Sequence, residues 1–338
     1  MSIAFLIHSH KALDQIARLC TAIDNGLTDK FVAISHNGTR EERDRIATFQ
    51  GVNRVVPAVG GRSQFGLIDG LLSELRRLER ERHPYEWFVV LSGQDYPIRP
   101  LHDMAEELSA SEYDGYFHHF DTTQPRSIPA HLINWPDHEV DTRFHFRHTL
   151  LKRDTPRWLR AAVSLPRRAL NTSNSYRIHT GFGLTFGHRA SETPFSPSFR
   201  LFGGNAWMTI RRTAADAILR FIDDRPDITN YFRRVVTPDE VFLQTILANQ
   251  PSLKLSNSEL RYYDCTAAFL GQMKTFGADD LPGVLASGCY FARKFDIDRD
   301  PGIFDVIDEH VARTSSRTAS NNAALPDPGE PLEAGLLR

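Results

Sequence analysis

Residues 87–100 read WFVVLSGQDYPIRP, a buried strand that leads directly into a polar turn. The unbroken apolar run from Trp87 to Leu91 is typical of a parallel strand covered on both faces. Gln94 and Asp95 follow at its carboxyl end, and the Tyr96-Pro97 step favours an extended exit. Such a turn can hold the ribose of a nucleotide or a sugar hydroxyl. It is equally explained as a strand-to-helix turn in which Asp95 bonds its own backbone.

Strand and helix patterns alternate on both sides of this stretch. Further strands are expected at residues 3–8, 31–35 and 55–59, with amphipathic helices at 13–23 and 64–82. This order predicts an α/β fold with a doubly wound, mostly parallel sheet and helices on both faces. Ligands of such sheets bind at the carboxyl ends of the strands. Those ends carry His10 and Asn37 in addition to Gln94 and Asp95.

The middle of the chain, residues 121–202, has a different character. It is rich in Arg, His, Pro and aromatic residues and has poor periodicity, so we expect long loop insertions and short helices covering the sheet. The Arg-rich segment 143–168, with Trp135 and Trp158, could line a sugar site or form loosely packed surface. Residues 1–312 are expected to form a single domain, followed by a disordered tail at 313–338.

Residues 237–240, TPDE, predict the start of a helix that continues to residue 249. Thr237 suits the N-cap, and Pro238 suits the first turn because its missing N–H would be unpaired there. The carboxylates of Asp239 and Glu240 would be favoured by the helix dipole and held rigidly. This arrangement suits a general base, but it is also an ordinary capped helix start.

Residues 291–301, FARKFDIDRDP, place Arg293 and Lys294 side by side. Two fixed cations can neutralise a leaving diphosphate. Alternatively, they form a solvated basic pair with the acidic residues that follow at 296, 298 and 300. The Asp-Ile-Asp sequence there has the form of a metal-binding motif, but it follows the basic pair near the end of the chain, so we assign it no metal. His118 and His119 make a poor joint metal site, because adjacent residues of an extended segment point to opposite faces.

Composition excludes several classes of protein. The chain has 338 residues and a net charge of −2, so it lacks the overall positive charge that is typical of nucleic-acid-binding proteins. Its three cysteines are too few for a disulfide framework and too scattered for a zinc site, and they fit a reducing cytoplasm. No apolar run approaches the roughly 18 residues of a membrane span, and the opening run is too short for a signal peptide. We therefore expect a cytoplasmic protein without stable membrane insertion.

Four blocks, in order, resemble the core-2/I-branching β-1,6-N-acetylglucosaminyltransferase family, which also contains the protein O-xylosyltransferases. The blocks are LSGQDYPIRP at 91–100, GGNAWMTIRR at 203–212, TPDEVFLQT at 237–245, and the segment from FGADDL to FARKFDID at 276–298. The resemblance covers nearly the whole chain except the tail and much of 121–200. The animal enzymes have a membrane anchor, a stem and many cysteines, so this chain resembles a bacterial-type cytoplasmic member.

The resemblance implies a GT-A-like fold and an inverting, metal-independent transfer that needs no cofactor. The donor would be a UDP-sugar, with N-acetylglucosamine or xylose as the expected sugar, and the acceptor a hydroxyl of a glycan or glycosylated molecule. Within the single domain, residues 1–120 would form a nucleotide-binding half, 121–202 a loop-rich acceptor region, and 203–312 a catalytic half.

Carried over position by position, the resemblance makes Glu240 the general base and Lys294 a ligand of the UDP diphosphate. The arginine that shares this role in the animal enzymes falls near Gly271, so Lys274 or Arg293 is expected to replace it. The remaining residues expected to bind UDP are His10, Asn37, Phe65 and Asp95. Those expected on the acceptor or sugar side are Gln94, Trp207 and Asp239, the last mainly structural.

Three alternatives remain open at this point. One is a metal-dependent transferase or hydrolase that uses Asp95, His118 and Asp121. The second is a sugar-binding module without catalysis, and the third is binding of an anionic polymer by the Arg-rich middle region.

Overall fold

The computed structural model describes residues 1–59, 64–124, 128–129, 132, 135, 137–181, 183–266 and 273–323. The α-helices are α1 Leu13–Gly26, α2 Arg40–Ile46, α3 Gly66–Arg80, α4 Leu101–Ala110, α5 Asp137–Phe144, α6 Arg157–Ala162, α7 Ser164–Asn171, α8 Arg212–Asp224, α9 Pro226–Phe232, α10 Phe242–Ala248, α11 Leu281–Leu285 and α12 Gly302–Ala323. Short 3₁₀ turns occupy Pro238–Glu240 and Ala278–Asp280.

The strands are short outside the first third of the chain. They are β1 Ile3–Ser9, β2 Lys30–His36, β3 Arg54–Pro57, β4 Trp87–Ser92, β5 Tyr96–Pro97, β6 Gly115–Tyr116, β7 His119–Asp121, β8 Phe146–Lys152, β9 Tyr176–His179, β10 Leu184–Arg189, β11 Phe202–Gly204, β12 Thr209–Arg211, β13 Leu255–Ser256, β14 Arg261–Tyr262 and β15 Phe291–Ala292.

The central sheet has the strand order β13-β6-β12-β4-β1-β2-β3. β1 pairs in parallel with β2 and β4, β2 with β3, and β13 with β6, whereas β12 runs antiparallel to both of its neighbours. The expected α/β class and mostly parallel sheet are therefore confirmed. The antiparallel strand β12 carries the polar segment before it to the edge of the sheet where β1, β2 and β4 end.

Two hydrophobic cores cover the two faces of this sheet. Because side chains alternate along a strand, Ala4 and Leu6 of β1 pack on one side with α3, α8 and α10. Ile3, Phe5 and Ile7 pack on the other side with α1, α4, α11 and α12. Helices therefore lie on both faces, as the alternating sequence pattern predicts.

A small second sheet, β14-β15-β5, forms beside the carboxyl end of β4. Its middle strand β15 runs antiparallel to β5, with Phe291 opposite Pro97 and Ala292 opposite Tyr96. β14 runs parallel to β15 on its other side. This sheet joins the turn after β4 to the segment that contains Arg293 and Lys294.

The expectation of loops and short helices in the middle region is only partly correct. Helices α5, α6 and α7 are short, but β8, β10 and β9 form a three-stranded antiparallel sheet. Gly183 has φ +93°, a conformation that favours glycine, just before β10 begins. The outer end of β8 carries exposed Leu150 and Leu151, so the alternating apolar pattern that would reveal a half-buried strand is missing.

The expected helix at 238–249 does not begin at Pro238. Residues Pro238–Glu240 form a 3₁₀ turn, Val241 leaves the helical region with φ −141°, and α10 begins at Phe242. Thr237 does not act as a side-chain cap: it has φ +53°, and its hydroxyl donates to the Val236 carbonyl oxygen over 2.8 Å. Its hydroxyl is therefore used within the turn instead of holding the first free amides.

The last helix extends past the residue at which the tail was expected to begin. Helix α12 begins at Gly302 and continues to Ala323, eleven residues beyond residue 312, the predicted end of the domain. Its first turns bury Ile303, Phe304 and Ile307 in the same core as α1. Residues 324–338 lie outside the described residues.

Candidate active site

The carboxyl ends of β1, β2 and β4 meet at one edge of the sheet, as the sequence predicts. The Asn37 amide donates to the Ser9 carbonyl oxygen over 2.8 Å, and the Gly93 amide donates to the His8 carbonyl oxygen over 2.8 Å. His10 and Asn37 are exposed there. Burial lowers the pKa of His8 to about 4, so this imidazole is neutral at pH 7 and supplies no cation to the edge.

Gln15 of α1 fixes the turn after β4 to the C-terminal block. Its amide Nε2 donates to the carbonyl oxygens of Gly93 and Phe295 over 3.0 and 3.1 Å. Its Oε1 accepts from the Ile297 amide over 3.0 Å. The Phe295 amide in turn donates to the Gln94 carbonyl oxygen over 3.0 Å. The first and last of the four sequence blocks are therefore held together through main-chain contacts.

A buried ionic cluster lies directly behind this turn, and we call it the Asp95 cluster. It contains Asp95, Glu259, Arg261 and Arg293, whose side chains are all 5% exposed or less. The two Asp95 carboxylate oxygens lie 3.3 Å from Nε of Arg261 and 3.3 Å from Nε of Arg293. Asp95 also accepts from the Ser92 amide over 2.9 Å. Asp95 thus does bond local backbone, but it also fixes two cations.

Trp207 and Tyr263 complete the cluster. The guanidinium carbon of Arg293 lies 3.9 Å from the centroid of the Trp207 ring, a cation–π contact. The Tyr263 hydroxyl donates to Glu259 over 3.3 Å and accepts from Asn205 over 2.6 Å. Burial raises the pKa of Glu259 and lowers that of Arg293, although Asp95 opposes the shift at Arg293. Blocks one, two and four therefore share one buried polar network.

The basic pair is split between two environments. Arg293 is buried and faces Asp95, whereas Lys294 is only half-buried. Asp296, one of the partners considered for the pair, instead binds Lys11 over 2.6 Å. Arg293 is therefore not solvated, and Asp296 is occupied by Lys11.

Lys274 lies next to Lys294. The Lys294 amide donates to the Lys274 carbonyl oxygen over 3.2 Å, so the two lysines start from adjacent backbone segments. The Lys274 ammonium is exposed and lies 2.5 Å from an Asp280 carboxylate oxygen. Gly271, where the family's arginine falls, lies outside the described residues. Of the two substitutes proposed for that arginine, Lys274 is the one with an exposed charge.

The 3₁₀ turn with Asp239 and Glu240 is fixed to block two. The Gln244 side chain donates to the Asn205 carbonyl oxygen and, over 3.4 Å, to that of Asp239. Thr237, which precedes the turn, is fully buried at φ +53°, a conformation that a β-branched residue adopts only when its surroundings impose it. The turn is therefore a constrained structure, although it is not the start of the helix.

The two carboxylates of this turn differ in their surroundings. One carboxylate oxygen of Asp239 is buried, whereas the Glu240 side chain is 28% exposed. Glu240 lies 3.1 Å from Nη1 of Arg143. The expected division of roles between Asp239 and Glu240 stays a prediction.

Arg143 of α5 is a residue of the candidate site that the sequence analysis did not identify individually. Its side chain is 11% exposed and also contacts Glu139, the Thr237 hydroxyl over 3.4 Å, and the Trp135 ring, whose centroid is 5.7 Å away. A guanidinium this close favours the ionised form of a carboxylate and fixes its direction. The available signal was the Arg-rich segment 143–168, but periodicity could not show which arginine faces the turn.

Phe65 lies at the start of α3 and is 6% exposed. Its ring packs against Phe242, with centroids 5.0 Å apart, and under the guanidinium of Arg233 at 4.4 Å. Its expected proximity to the nucleoside stays a prediction, as do the roles of His10, Asn37, Gln94 and Trp207.

The three residues of the metal-dependent alternative each have separate partners. Asp95 binds two arginines, His118 lies 3.4 Å from the Asn257 side-chain oxygen, and Asp121 pairs with Arg200 over 2.7 Å. Within the described ranges, no group of three or more His, Cys, Asp or Glu side chains is placed to hold a metal ion. The same ranges contain no helix that is both long and apolar enough to cross a membrane.

Comparisons with family models, curated proteins and solved structures each find proteins similar to this chain. A family model described as Core-2/I-Branching enzyme matches residues 169–281. A β-glucuronosyltransferase, GlcAT14B of Arabidopsis thaliana, is 22% identical over 237 residues, which cover 69% of this chain and 46% of that protein. The crystal structure of apo mouse xyloside xylosyltransferase 1 covers 86% of this chain and 97% of its own, at 9% identity and a TM-score of 0.36.

The chain thus spans about half the length of the curated relative that it matches. The family model includes the blocks with Trp207, Asp239 and Glu240, and it ends before Arg293 and Lys294. The resemblance inferred from the four sequence blocks is confirmed by the match of residues 169–281 to the core-2/I-branching family model and by the similarity to a plant glycosyltransferase.

Proposed function

We propose that this protein is an inverting, metal-independent glycosyltransferase that moves a sugar from a UDP-sugar to a hydroxyl of a glycan or glycosylated acceptor. The observation that supports it most is the convergence of the four blocks on one edge of a GT-A-like sheet. The Asp95 cluster binds blocks one, two and four together, and Gln244 binds block three to block two. Residues far apart in sequence are therefore connected by one network of contacts.

Glu240 acts as the general base in this proposal. Inversion requires a base on the acceptor hydroxyl, on the side opposite the leaving group, and such help contributes roughly 10²–10⁴-fold to the rate. Glu240 is accessible, and the Arg143 guanidinium 3.1 Å away favours the ionised carboxylate that can accept a proton. The constrained backbone at Thr237 limits the freedom of the turn that carries the carboxylate.

Lys294 and Lys274 stabilise the leaving diphosphate in place of a divalent cation. Their backbones are hydrogen-bonded to each other, so two ammonium groups can reach the same anion. Arg293, buried against Asp95 and Trp207, supports the segment from behind. The donor is UDP-N-acetylglucosamine or UDP-xylose; the name of the Arabidopsis relative adds UDP-glucuronic acid to the donors worth testing.

The deciding experiment compares Glu240→Gln with Asp239→Asn as a matched pair on one turn. Glu240→Gln is expected to retain UDP affinity and to lower transfer by at least about 100-fold. Asp239→Asn is expected to reduce stability more than turnover. If Glu240→Gln kept near-normal turnover with a panel of UDP-sugars, Glu240 would not be the general base.

Metal independence is tested with the same assay in EDTA. Full activity in the chelator is the expected result, because the lysines supply the positive charge. Loss of activity that Mn²⁺ restores would instead support the metal-dependent alternative.

A further inference from the structure

The segment 146–190 has a charge unlike that of the rest of the chain. It contains nine lysines and arginines and one acidic residue, Asp154, whereas the whole chain has a net charge of −2. Six of these cations are exposed on the end of β8, on α6 and α7 and on the loop between them and β8, and we call this surface the basic face. They are Lys152, Arg153, Arg157, Arg160, Arg167 and Arg168.

Large apolar side chains are also exposed on β8, α6 and α7. Leu151 is 61% exposed, Trp158 is 68% exposed and Leu165 is 74% exposed. Helices α6 and α7 contain no buried residue at all. A helix is normally stabilised by packing an apolar stripe against a core, whereas Trp158 and Leu165 of these two helices are mostly exposed.

This combination is characteristic of helices that lie in a lipid interface. There the apolar side chains enter the boundary between headgroups and acyl chains, and lysines and arginines contact anionic headgroups. Tryptophan favours this zone because its ring is apolar while its N–H can remain hydrated. An anionic polymer would be bound by the cations, but it gives no reason to expose Trp158 and Leu165 between them.

We propose that the basic face binds the surface of membranes that contain anionic lipids, with Trp158, Leu165 and Leu151 inserted at the headgroup level. The binding is peripheral and needs no membrane-spanning helix. It does not depend on the proposed glycosyl transfer. Each lysine or arginine near an anionic surface contributes about fivefold to partitioning, so the six cations make binding strongly dependent on headgroup charge and on salt.

The test is co-sedimentation of the full chain with lipid vesicles. Vesicles of phosphatidylcholine mixed with phosphatidylglycerol are expected to bind the protein, and vesicles of phosphatidylcholine alone are not. Trp158→Ser combined with Leu165→Ser is expected to weaken binding by at least about tenfold. Because both side chains are exposed, thermal unfolding should remain unchanged and serves as the check on folding.

A second variant tests the charges. Lys152→Gln, Arg157→Gln and Arg168→Gln together are expected to weaken binding by on the order of 100-fold. The matched control removes three exposed arginines from other surfaces, Arg40→Gln, Arg80→Gln and Arg220→Gln, and should bind like the unchanged protein.

Three results would overturn the proposal. If the control variant lost as much vesicle binding as the basic-face variant, binding would depend only on the overall charge of the protein. Binding to a polyanion such as heparin, with the Trp158→Ser/Leu165→Ser variant unaffected, would assign the face to an anionic polymer. A dimer in solution that this variant dissociates, without vesicle binding, would assign the face to a second copy of the chain.

Discussion

The Arg143 guanidinium lies 3.1 Å from the Glu240 carboxylate and connects the middle region of the chain to the turn that carries the proposed base. Arg143 comes from α5, and Glu240 comes 97 residues later from a 3₁₀ turn. The pair is largely buried, with 11% and 28% of the two side chains exposed. Arg143 is therefore placed to position the carboxylate.

Arg143→Gln is predicted to lower kcat by about 10- to 100-fold, because the carboxylate loses both its direction and the cation that favours its ionised form. KM for the UDP-sugar should change little, since Arg143 contacts the base and not the lysines. Arg143→Lys should restore part of kcat. Arg189→Gln, which removes an exposed ion pair to Asp141 in the same region, is the control. An equal fall for both variants would indicate general damage to the middle region.

Lys294→Ala is predicted to weaken UDP binding by more than about tenfold, because half-buried ammonium groups are less screened than exposed ones. Lys274→Ala should have a smaller effect, since its ammonium must first leave Asp280. Isothermal titration with UDP measures both. Lys254→Ala removes an exposed lysine that pairs with Glu112 and should leave the affinity unchanged. If Lys274→Ala were the more harmful change, the two lysines would have the reverse roles.

Asp95→Ala is predicted to lower the free energy of unfolding by about 3–5 kcal/mol, because it leaves two buried arginines without their shared carboxylate. Urea unfolding followed by circular dichroism measures the change. Asp14→Ala is a control, because Asp14 forms an exposed ion pair with Arg45, and exposed pairs contribute about 0–1 kcal/mol. A comparably small effect of Asp95→Ala would show that water reaches the cluster.

The central sheet could be predicted from the sequence because its strands are continuous apolar runs. β1, β2 and β4 are buried along almost their whole length, so each appears in the sequence as an apolar run that can be recognised without knowing its neighbours. The polar groups at their carboxyl ends then follow from the parallel order alone. The positions of His10, Asn37 and the Gln94-Asp95 turn were predictable for this reason.

The Asp95 cluster could not be predicted in the same way. Arg293 followed by Lys294 has the same local pattern whether the first or the second residue is buried. Which of the two residues is buried depends on Trp207, which the antiparallel strand β12 brings under Arg293. Likewise, TPDE has the composition of a capped helix, and only the constrained backbone at Thr237 separates the turn from α10.

Acid is predicted to destabilise the three-stranded sheet of β8, β10 and β9, which lies between Arg143 and the basic face. His148 and His179 have ring centroids 5.0 Å apart, and burial lowers the pKa of His148 to about 3 and that of His179 to about 4. In the unfolded chain both imidazoles take up a proton near pH 6.5. The unfolded state therefore binds more protons between pH 6.5 and 4, so the free energy of unfolding falls as pH decreases through this window.

At pH 5 the expected loss is about 1–2 kcal/mol for each histidine. Urea unfolding at pH 7, 6 and 5 measures it, with His148→Asn and His179→Asn each expected to reduce the pH dependence. His102→Asn, at an exposed position on α4, should leave the pH dependence intact. Since the sheet continues from α5, early loss of the Arg143–Glu240 contact should make transfer activity fall before global unfolding as pH decreases. An unchanged pH dependence in both buried-histidine variants would show that protons reach these imidazoles in the folded protein.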